Sequence, residues 1–260
     1  MTKSIKKVLL MLTTVVLTVV LAACGSGGGG SSAPKTPTSK EVIEKYAEAS
    51  KNIKSSKFSA DVTMTTVTKG KEEKLTMKMD GTFTIEPLDM LVNYDISNGK
   101  QAQKISMYLK NGESLYLSPD NKTWKKQEMD SSTKKQIDSI KQVGGNEKAL
   151  NFYKNNADSF KVEEQGDNYV LTYTGSDEKF KELIKELGSS SGTASNYDNV
   201  DFKNISIKIT VKKSNYEPVS AEVITEVTSK KDSSNTAKIE TKQNFSEVNT
   251  AKVVAPEGIK

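Results

Sequence analysis

Reactive chemistry in this sequence depends on very few residue types. Cys24 is the only cysteine among 260 residues, and histidine does not occur. Without histidine, neither a Ser-His-Asp triad nor a Cys-His pair can form, and the common zinc, copper and non-haem iron sites lack their usual ligand. Arginine does not occur either, so all 38 basic residues are lysine. Lysine lacks the planar fork that binds phosphate or guanine in two places, so nucleic acid is not an expected partner.

Other motifs that could support catalysis are equally scarce. The sequence contains neither a Gly-x-Ser-x-Gly elbow nor a glycine loop placed to bind phosphate. The acidic pairs Glu72-Glu73 and Glu163-Glu164 lie at predicted turns or strand ends, where neighbouring side chains point to opposite faces. We therefore expect solvated carboxylates rather than an acid–base pair. The sequence predicts a protein that is not an enzyme and has no cofactor and no bound metal.

The position of Cys24 suggests a different role for its thiol. A lysine-rich start precedes an apolar run, Val8–Leu21, of about 14 residues, which is shorter than the roughly 20 residues that a membrane-spanning helix needs. This layout predicts a secretory signal over residues 1–23. The run Leu21-Ala22-Ala23-Cys24 resembles a bacterial lipobox, at which a lipoprotein precursor receives a diacylglyceride on sulfur and is cleaved.

The lipobox resemblance implies a lipid anchor at Cys24 that holds the protein on the extracytoplasmic face of the cell membrane. The alternative is an ordinary secretory signal with an incidental cysteine. With Cys24 acylated, no cysteine remains for a disulfide bond. Residues 24–38 then form a tether, since glycine and serine make its first part flexible and two prolines stiffen the rest. The remainder, 39–260, has no linker-like composition, so we expect one folded domain.

The first part of that domain shows a helix followed by alternating strands. Thr38 and Glu41 fit a capping box at the start of an amphipathic helix over 38–54. Between Phe58 and Lys125 apolar and polar residues alternate, with turn signals at Lys69-Gly70-Lys71, Asn98-Gly99 and Asn111-Gly112. This pattern predicts an antiparallel meander of about six strands that is apolar on one face.

The second part mixes short helices with further strands. Two helices are predicted over 130–154, with Asp130 and Asn146 as caps and Gly144-Gly145 between them, and a third over 176–187. Alternation predicts strands at 160–162, 169–173, 202–211, 219–228 and 236–245, and an extended segment over 253–258. The predicted fold class is α+β, mainly β: one strongly curved antiparallel sheet of about 9–11 strands with helices beside it.

Four stretches resemble the LolA/LppX-like bacterial lipoprotein superfamily of lipoprotein carriers. The resemblance is carried by Lys54–Met64, by Tyr108–Tyr116 with Trp124 after it, by Ile209–Pro218 and by Phe245–Pro256. It implies a half-open barrel whose helices act as a lid over a concave apolar face that takes up acyl chains.

Methionine supports a binding face independently of the resemblance. Five of the eight methionines lie at apolar positions of the predicted strands, and this flexible, polarisable side chain suits surfaces that adapt to varied apolar partners. A filled core beneath the helices would show the same pattern. The predicted cavity residues are Phe58, Val62, Met64, Met77, Met79, Met90, Ile105 and Met107.

Two functions remain open at this point. The first is a monomeric, lipid-anchored surface protein that binds a lipid or other amphiphile for carriage or sensing. The second is a non-catalytic interaction module with a filled core, such as an adhesin, an envelope-stress sensor or an accessory subunit, which would have a protein partner. Uptake of a hydrophobic dye by the folded protein distinguishes them.

Overall fold

A computed structural model describes residues 36–131, 133–134, 137–138, 147–176, 178–183 and 199–259 of the chain. The predicted signal, the lipobox with Cys24, and most of the tether lie outside these residues. So do Gly144-Gly145, Asn146 and the last turn of the helix predicted over 176–187.

Eleven antiparallel strands form one sheet that is not closed, which confirms the predicted fold class. Their order across the sheet is β6-β5-β4-β3-β2-β1-β11-β10-β9-β8-β7. The strands are β1 Ser55–Thr68, β2 Lys71–Ile85, β3 Leu88–Ser97, β4 Ala102–Lys110, β5 Ser114–Ser118, β6 Lys125–Gln127, β7 Lys161–Gln165, β8 Asn168–Gly175, β9 Val200–Lys212, β10 Pro218–Ser229 and β11 Thr236–Ser246. The long strands β1 and β11 pair at the centre, so the first and last strands of the chain join the two halves.

Two helices have full bounds, α1 Ser39–Lys51 and α2 Glu147–Asn155, and a 3-10 turn, Ala157–Ser159, follows α2. The predicted capping box is confirmed: the Thr38 side chain accepts from the Glu41 backbone N–H, and the Glu41 carboxylate accepts from that of Thr38. Residues 131, 133–134, 137–138 and 178–183 are also helical, within the two further helices that the sequence predicts.

The predicted end of the first helix is wrong, since α1 ends at Lys51 rather than at residue 54. The alternation in the sequence predicts a sixth strand over Thr123–Lys125, but this strand begins at Lys125, because the Asp120 carboxylate accepts hydrogen bonds from the backbone N–H groups of Lys122 and Thr123 and holds them in a loop. The segment 253–258 pairs with no strand among the described residues and ends in a turn. Its apolar residues lack the period of two that marks a strand facing a core.

The two faces of the sheet differ in chemistry. The inner face carries Phe58, Ala60 and Val62 of β1 and packs against the helices, whereas the outer face carries the intervening residues. Ion pairs join outer-face partners across the strands: Lys78 to Asp61 at 3.9 Å, Lys104 to Asp95 at 3.5 Å, and Lys242 to Glu222 at 3.5 Å. These six residues form one row that crosses β10, β11 and β1–β4 with alternating charge, which we call the charged row.

Buried residues on the inner face form two hydrophobic clusters. Cluster 1 lies on β1–β5 and at the end of β11, where it contains Phe245, and it includes Ile53, which follows α1, and Ile137. Cluster 2 lies on β8 and β9, where Leu171 and Ile207 pack with α1 and α2. Between the clusters run the inner faces of β10 and β11, which we call the seam.

Candidate functional site

Seven of the eight predicted cavity residues gather in cluster 1, where each is at most 9% exposed. Met64 is the exception. It lies nearer the β1–β2 turn, is half-buried, and pairs with Ile239 and Leu75, which are also half-buried. The structure therefore brings the predicted set together on one face of the sheet, and contact of these residues with a ligand stays a prediction.

The seam contains a polar residue that the sequence analysis missed. Gln243 lies on the inner face of β11 and is 1% exposed. Its cross-strand partners are Ala60 on β1 and Ala221 on β10, whose methyl groups cannot donate a hydrogen bond. Its Oε1 atom has no hydrogen-bond partner among the described residues. The sequence signal was a single amide at an inward position of a strand, two residues before Phe245.

An unpaired buried amide oxygen needs a physical explanation. Native proteins keep few such groups, since leaving one unsatisfied costs about 1–3 kcal/mol. The alanines beside Gln243 are the smallest side chains of their row, in which Ile209 and Met79 come next on either side. The seam thus combines an acceptor without a donor and two small neighbours at the boundary between two apolar clusters.

The helices add neutral polar groups near cluster 2. Burial, with a smaller contribution from Tyr153, raises the pKa of Tyr46 well above its usual range. Burial also raises the pKa of Tyr153 to about 12. Both phenols stay protonated at neutral pH, so neither supplies a general base to this face.

A separate depression of about 380 Å³ lies on the outer face. It is lined by residues of β1, β2, β3 and β11, among them Ser59, Asp80, Leu91, Asn93 and Asn244. Within the described part of the chain, no group of three or more metal-ligating side chains occurs, and no helix is long and apolar enough to cross a membrane.

The two acidic pairs lie in strands rather than at a cleft. Glu72 and Glu73 are exposed at the start of β2. Glu163 and Glu164 are exposed on the edge strand β7, and the Lys213 ammonium holds the pKa of Glu164 below its usual range. Neither arrangement joins two carboxylates in a site.

Comparison with solved structures finds matches at low sequence identity and low TM-score. The ywiB protein from Bacillus subtilis is 6% identical with a TM-score of 0.22, covering 74% of this chain and 93% of that one. A DUF1329 family protein from Desulfovibrio piger ATCC 29098 is 9% identical with a TM-score of 0.25, covering 83% and 93%. A domain described as an outer membrane lipoprotein-sorting protein, from Vibrio parahaemolyticus, is 10% identical with a TM-score of 0.25, covering 85% and 93%.

At these TM-scores none of the three structures tests the LolA/LppX-like resemblance, which stays a prediction. No curated protein matches the chain. One protein family matches residues 38–260, which include the whole of the predicted domain. The chain therefore belongs to DUF6612, a family of unknown function.

Proposed function

We propose that this chain is a lipid-anchored, non-catalytic cell-surface protein that binds an amphiphile on the inner face of its sheet. The anchor is the lipobox cysteine, Cys24, and the tether behind it lets the domain reach the membrane surface. The apolar tail of the ligand packs on cluster 1, where methionines from three strands can adapt to tails of different shape. Burial at about 25 cal/mol per Å² of apolar area supplies most of the affinity.

The single observation that carries the proposal is the unpaired Oε1 of Gln243. A core that only had to be filled would gain stability from an apolar residue at this position. A ligand with a hydroxyl or amide N–H beside its tail would pair with this oxygen when the tail lies against the neighbouring cluster. Binding of this kind requires the segments at Ile53 and Ile137, which pack in cluster 1, to separate from the sheet, because the cluster side chains are covered.

The rival function is a filled interaction module, and one observation favours it. The seven clustered cavity residues are each surrounded by protein atoms on almost all sides. A module of this kind needs no internal ligand and acts through its surface. The two functions therefore differ in whether the inner face accepts a guest.

Native mass spectrometry of a full-chain Cys24→Ser variant, purified without detergent, tests the proposal. This variant cannot be acylated at Cys24, and the Met79→Asp variant described next distinguishes lipid held by the domain from lipid held by the apolar run Val8–Leu21. We expect a co-purified mass that organic solvent removes, or uptake of a monoacylglycerol added to the protein. A bare protein that refuses added amphiphiles would support the interaction module.

Three further variants in the same background locate the ligand. Met79→Asp puts a charge in cluster 1, and Lys78→Asp is its matched control on the outer face. We expect uptake to be lost in the first and kept in the second, with folding of both checked by circular dichroism. Gln243→Leu keeps the volume of the seam and should weaken uptake of the monoacylglycerol but not of the methyl ester of the same chain length. Uptake by folded Met79→Asp at the normal level would remove cluster 1 from the site.

A further inference from the structure

The outer face carries a second row whose chemistry differs from that of the charged row. Each member is the direct cross-strand partner of the next, on β11, β1, β2, β3 and β4. These residues, which we call the polar row, are Asn244, Ser59, Asp80, Asn93 and Ser106. Neighbouring strands lie about 4.8 Å apart, so the polar row spans about 19 Å across the sheet. On each strand its member lies two residues from the member of the charged row, so the two rows are neighbours on the outer face.

Hydrogen bonds fix the side chains of the polar row. The Asn93 amide donates to Asp80 Oδ2 at 3.0 Å and accepts from the Ser106 hydroxyl at 2.7 Å. Asn244 donates to the Ser59 hydroxyl at a longer 3.4 Å. Ser106 is buried although it points to the outer face, which holds that end of the row in place. The row is therefore ordered before any ligand binds, which lowers the entropy cost of binding.

Part of the bonding capacity of the row stays unused within the described residues. Asp80 accepts from Asn93 through Oδ2, and Oδ1 has no protein partner. The side-chain carbonyl oxygen of Asn244 also has no protein partner among the described residues. Both residues line the depression of about 380 Å³, a volume at the lower end of the range for small-molecule sites. The depression thus presents acceptors held in fixed positions.

An apolar row borders the polar row on one side. Leu91, Tyr108 and Tyr116 are direct partners on β3, β4 and β5, and the two tyrosine rings lie 6.2 Å apart. Leu91 also lines the depression. Tyr108 is 3% exposed, so a ligand lying across the strands would meet hydroxyl, amide and carboxylate groups along one edge and the partly exposed Leu91 and Tyr116 along the other.

We propose that the polar row and its apolar border bind a neutral oligosaccharide. A pyranose ring carries adjacent hydroxyls that both donate and accept, which suits a carboxylate and amides in a row, and its C–H face suits an apolar wall. A polyanion is disfavoured because the carboxylate of Asp80 lies in the depression. The nearby ammonium of Lys57 is already paired with Glu247 at 2.6 Å. This site is separate from the proposed amphiphile site, since it lies on the opposite face of the sheet.

Saturation-transfer NMR with the full-chain Cys24→Ser variant tests the proposal without detergent, whose sugar head groups would compete. The probes are maltohexaose, cellopentaose and chitopentaose, with dextran sulfate as a polyanion. We expect at least one neutral oligosaccharide to bind with a dissociation constant in the millimolar range or tighter. Binding of dextran sulfate alone, or of none of the probes, would overturn the proposal.

Two matched substitutions on the outer face test whether the oligosaccharide binds at the polar row. Asp80→Asn keeps a group that can accept from Asn93 but removes the charge, and Asp95→Asn removes a carboxylate from the charged row on β3. We expect the first to weaken oligosaccharide binding about tenfold or more, because hydrogen bonds to charged groups are the stronger ones, and the second to leave it unchanged. Equal effects of both substitutions would contradict a site at the polar row. Amphiphile uptake should be the same in both variants, so this test fails or succeeds independently of the proposed function.

Discussion

The ring of Phe58 lies directly over Gly81, its cross-strand partner on β2. A Cβ atom at Gly81 would come within 2.9 Å of Phe58 Cζ and within 2.7 Å of the Leu91 carbonyl oxygen. The Phe58 ring occupies the space that a side chain at position 81 would need, and Phe58 is part of cluster 1. A small residue at this point of the sheet is thus needed for packing rather than for an unusual backbone angle.

Gly81→Ala should lower the free energy of unfolding by about 1–3 kcal/mol, as over-packing of a tight site typically does. The Phe58 ring could shift to make room, but the Leu91 carbonyl belongs to the sheet backbone and cannot. Urea unfolding followed by circular dichroism measures the effect. Thr82→Ala is the matched control, because Thr82 is the next residue and points to the outer face instead. It should change the free energy of unfolding by less than about 0.5 kcal/mol. A Gly81→Ala variant as stable as the wild type would show that the sheet relaxes at this point.

The strands were predictable because their chemistry is local. Alternation from Phe58 onward and the turn at Lys69-Gly70, where both residues have positive φ, define β1 and β2 before any tertiary contact is known. The capping box at Thr38 is equally local. The end of the loop before β6 was not predictable, because it depends on which backbone groups the Asp120 carboxylate selects.

Asp120 should contribute to stability only when it is ionised. The backbone N–H of Thr123, then that of Lys122 and the Ser118 hydroxyl, hold the pKa of Asp120 far below its usual range. Because the folded-state pKa lies below the unfolded-state value of about 3.9, the contribution is complete above that value and is lost as the pH falls through the folded-state pKa. The wild type should therefore have a higher urea midpoint than Asp120→Asn at pH 7.

The difference between the Asp120→Asn variant and the wild type should shrink as the pH is lowered from 5 towards 2. Asp138→Asn, which changes an exposed carboxylate whose side chain makes no hydrogen bond within the described residues, serves as the control at each pH. A constant difference across this range would mean that the charge of Asp120 plays no part in holding the loop.

The capping box at Thr38 should set the stability of α1. Thr38→Ala removes the acceptor for the Glu41 N–H, and loss of such a cap typically costs about 1 kcal/mol. Thr38→Ser retains the hydroxyl and should stay within a few tenths of a kcal/mol of the wild type. Hydrogen exchange of the amides in the first turn of α1 measures the local effect. Equal protection in the alanine and serine variants would argue that packing of Val42 and Ile43, rather than the cap, holds this end.

The candidate sites were only partly predictable, because the sequence does not show the register between strands that are distant in the chain. The sequence shows that Met77 and Met79 lie on one face of β2, because the period of a strand is two, and its apolar pattern predicts that Phe58 of β1 lies on the same face of the sheet. It does not show which residues of distant strands become partners. Gln243 lies beside Ala60 only because β11 pairs with β1, a contact between residues 183 positions apart in the chain. The polar row likewise joins Asn244 to Ser59 across the same pairing.

Gln243→Met should stabilise the protein in the absence of ligand. It replaces a buried amide whose oxygen has no partner by an apolar side chain of similar length, which removes a cost of about 1–3 kcal/mol. Urea unfolding of the Cys24→Ser chain, first freed of lipid on a hydrophobic resin, measures the gain. Gln165→Met, at an exposed position at the end of β7, is the control and should leave the midpoint unchanged. If Gln243→Met is instead less stable, the amide is satisfied within the protein, and the observation on which the proposed function rests would be removed. A stabilised variant that also binds a monoacylglycerol more weakly would show that the wild type gives up stability at the seam in order to bind its ligand.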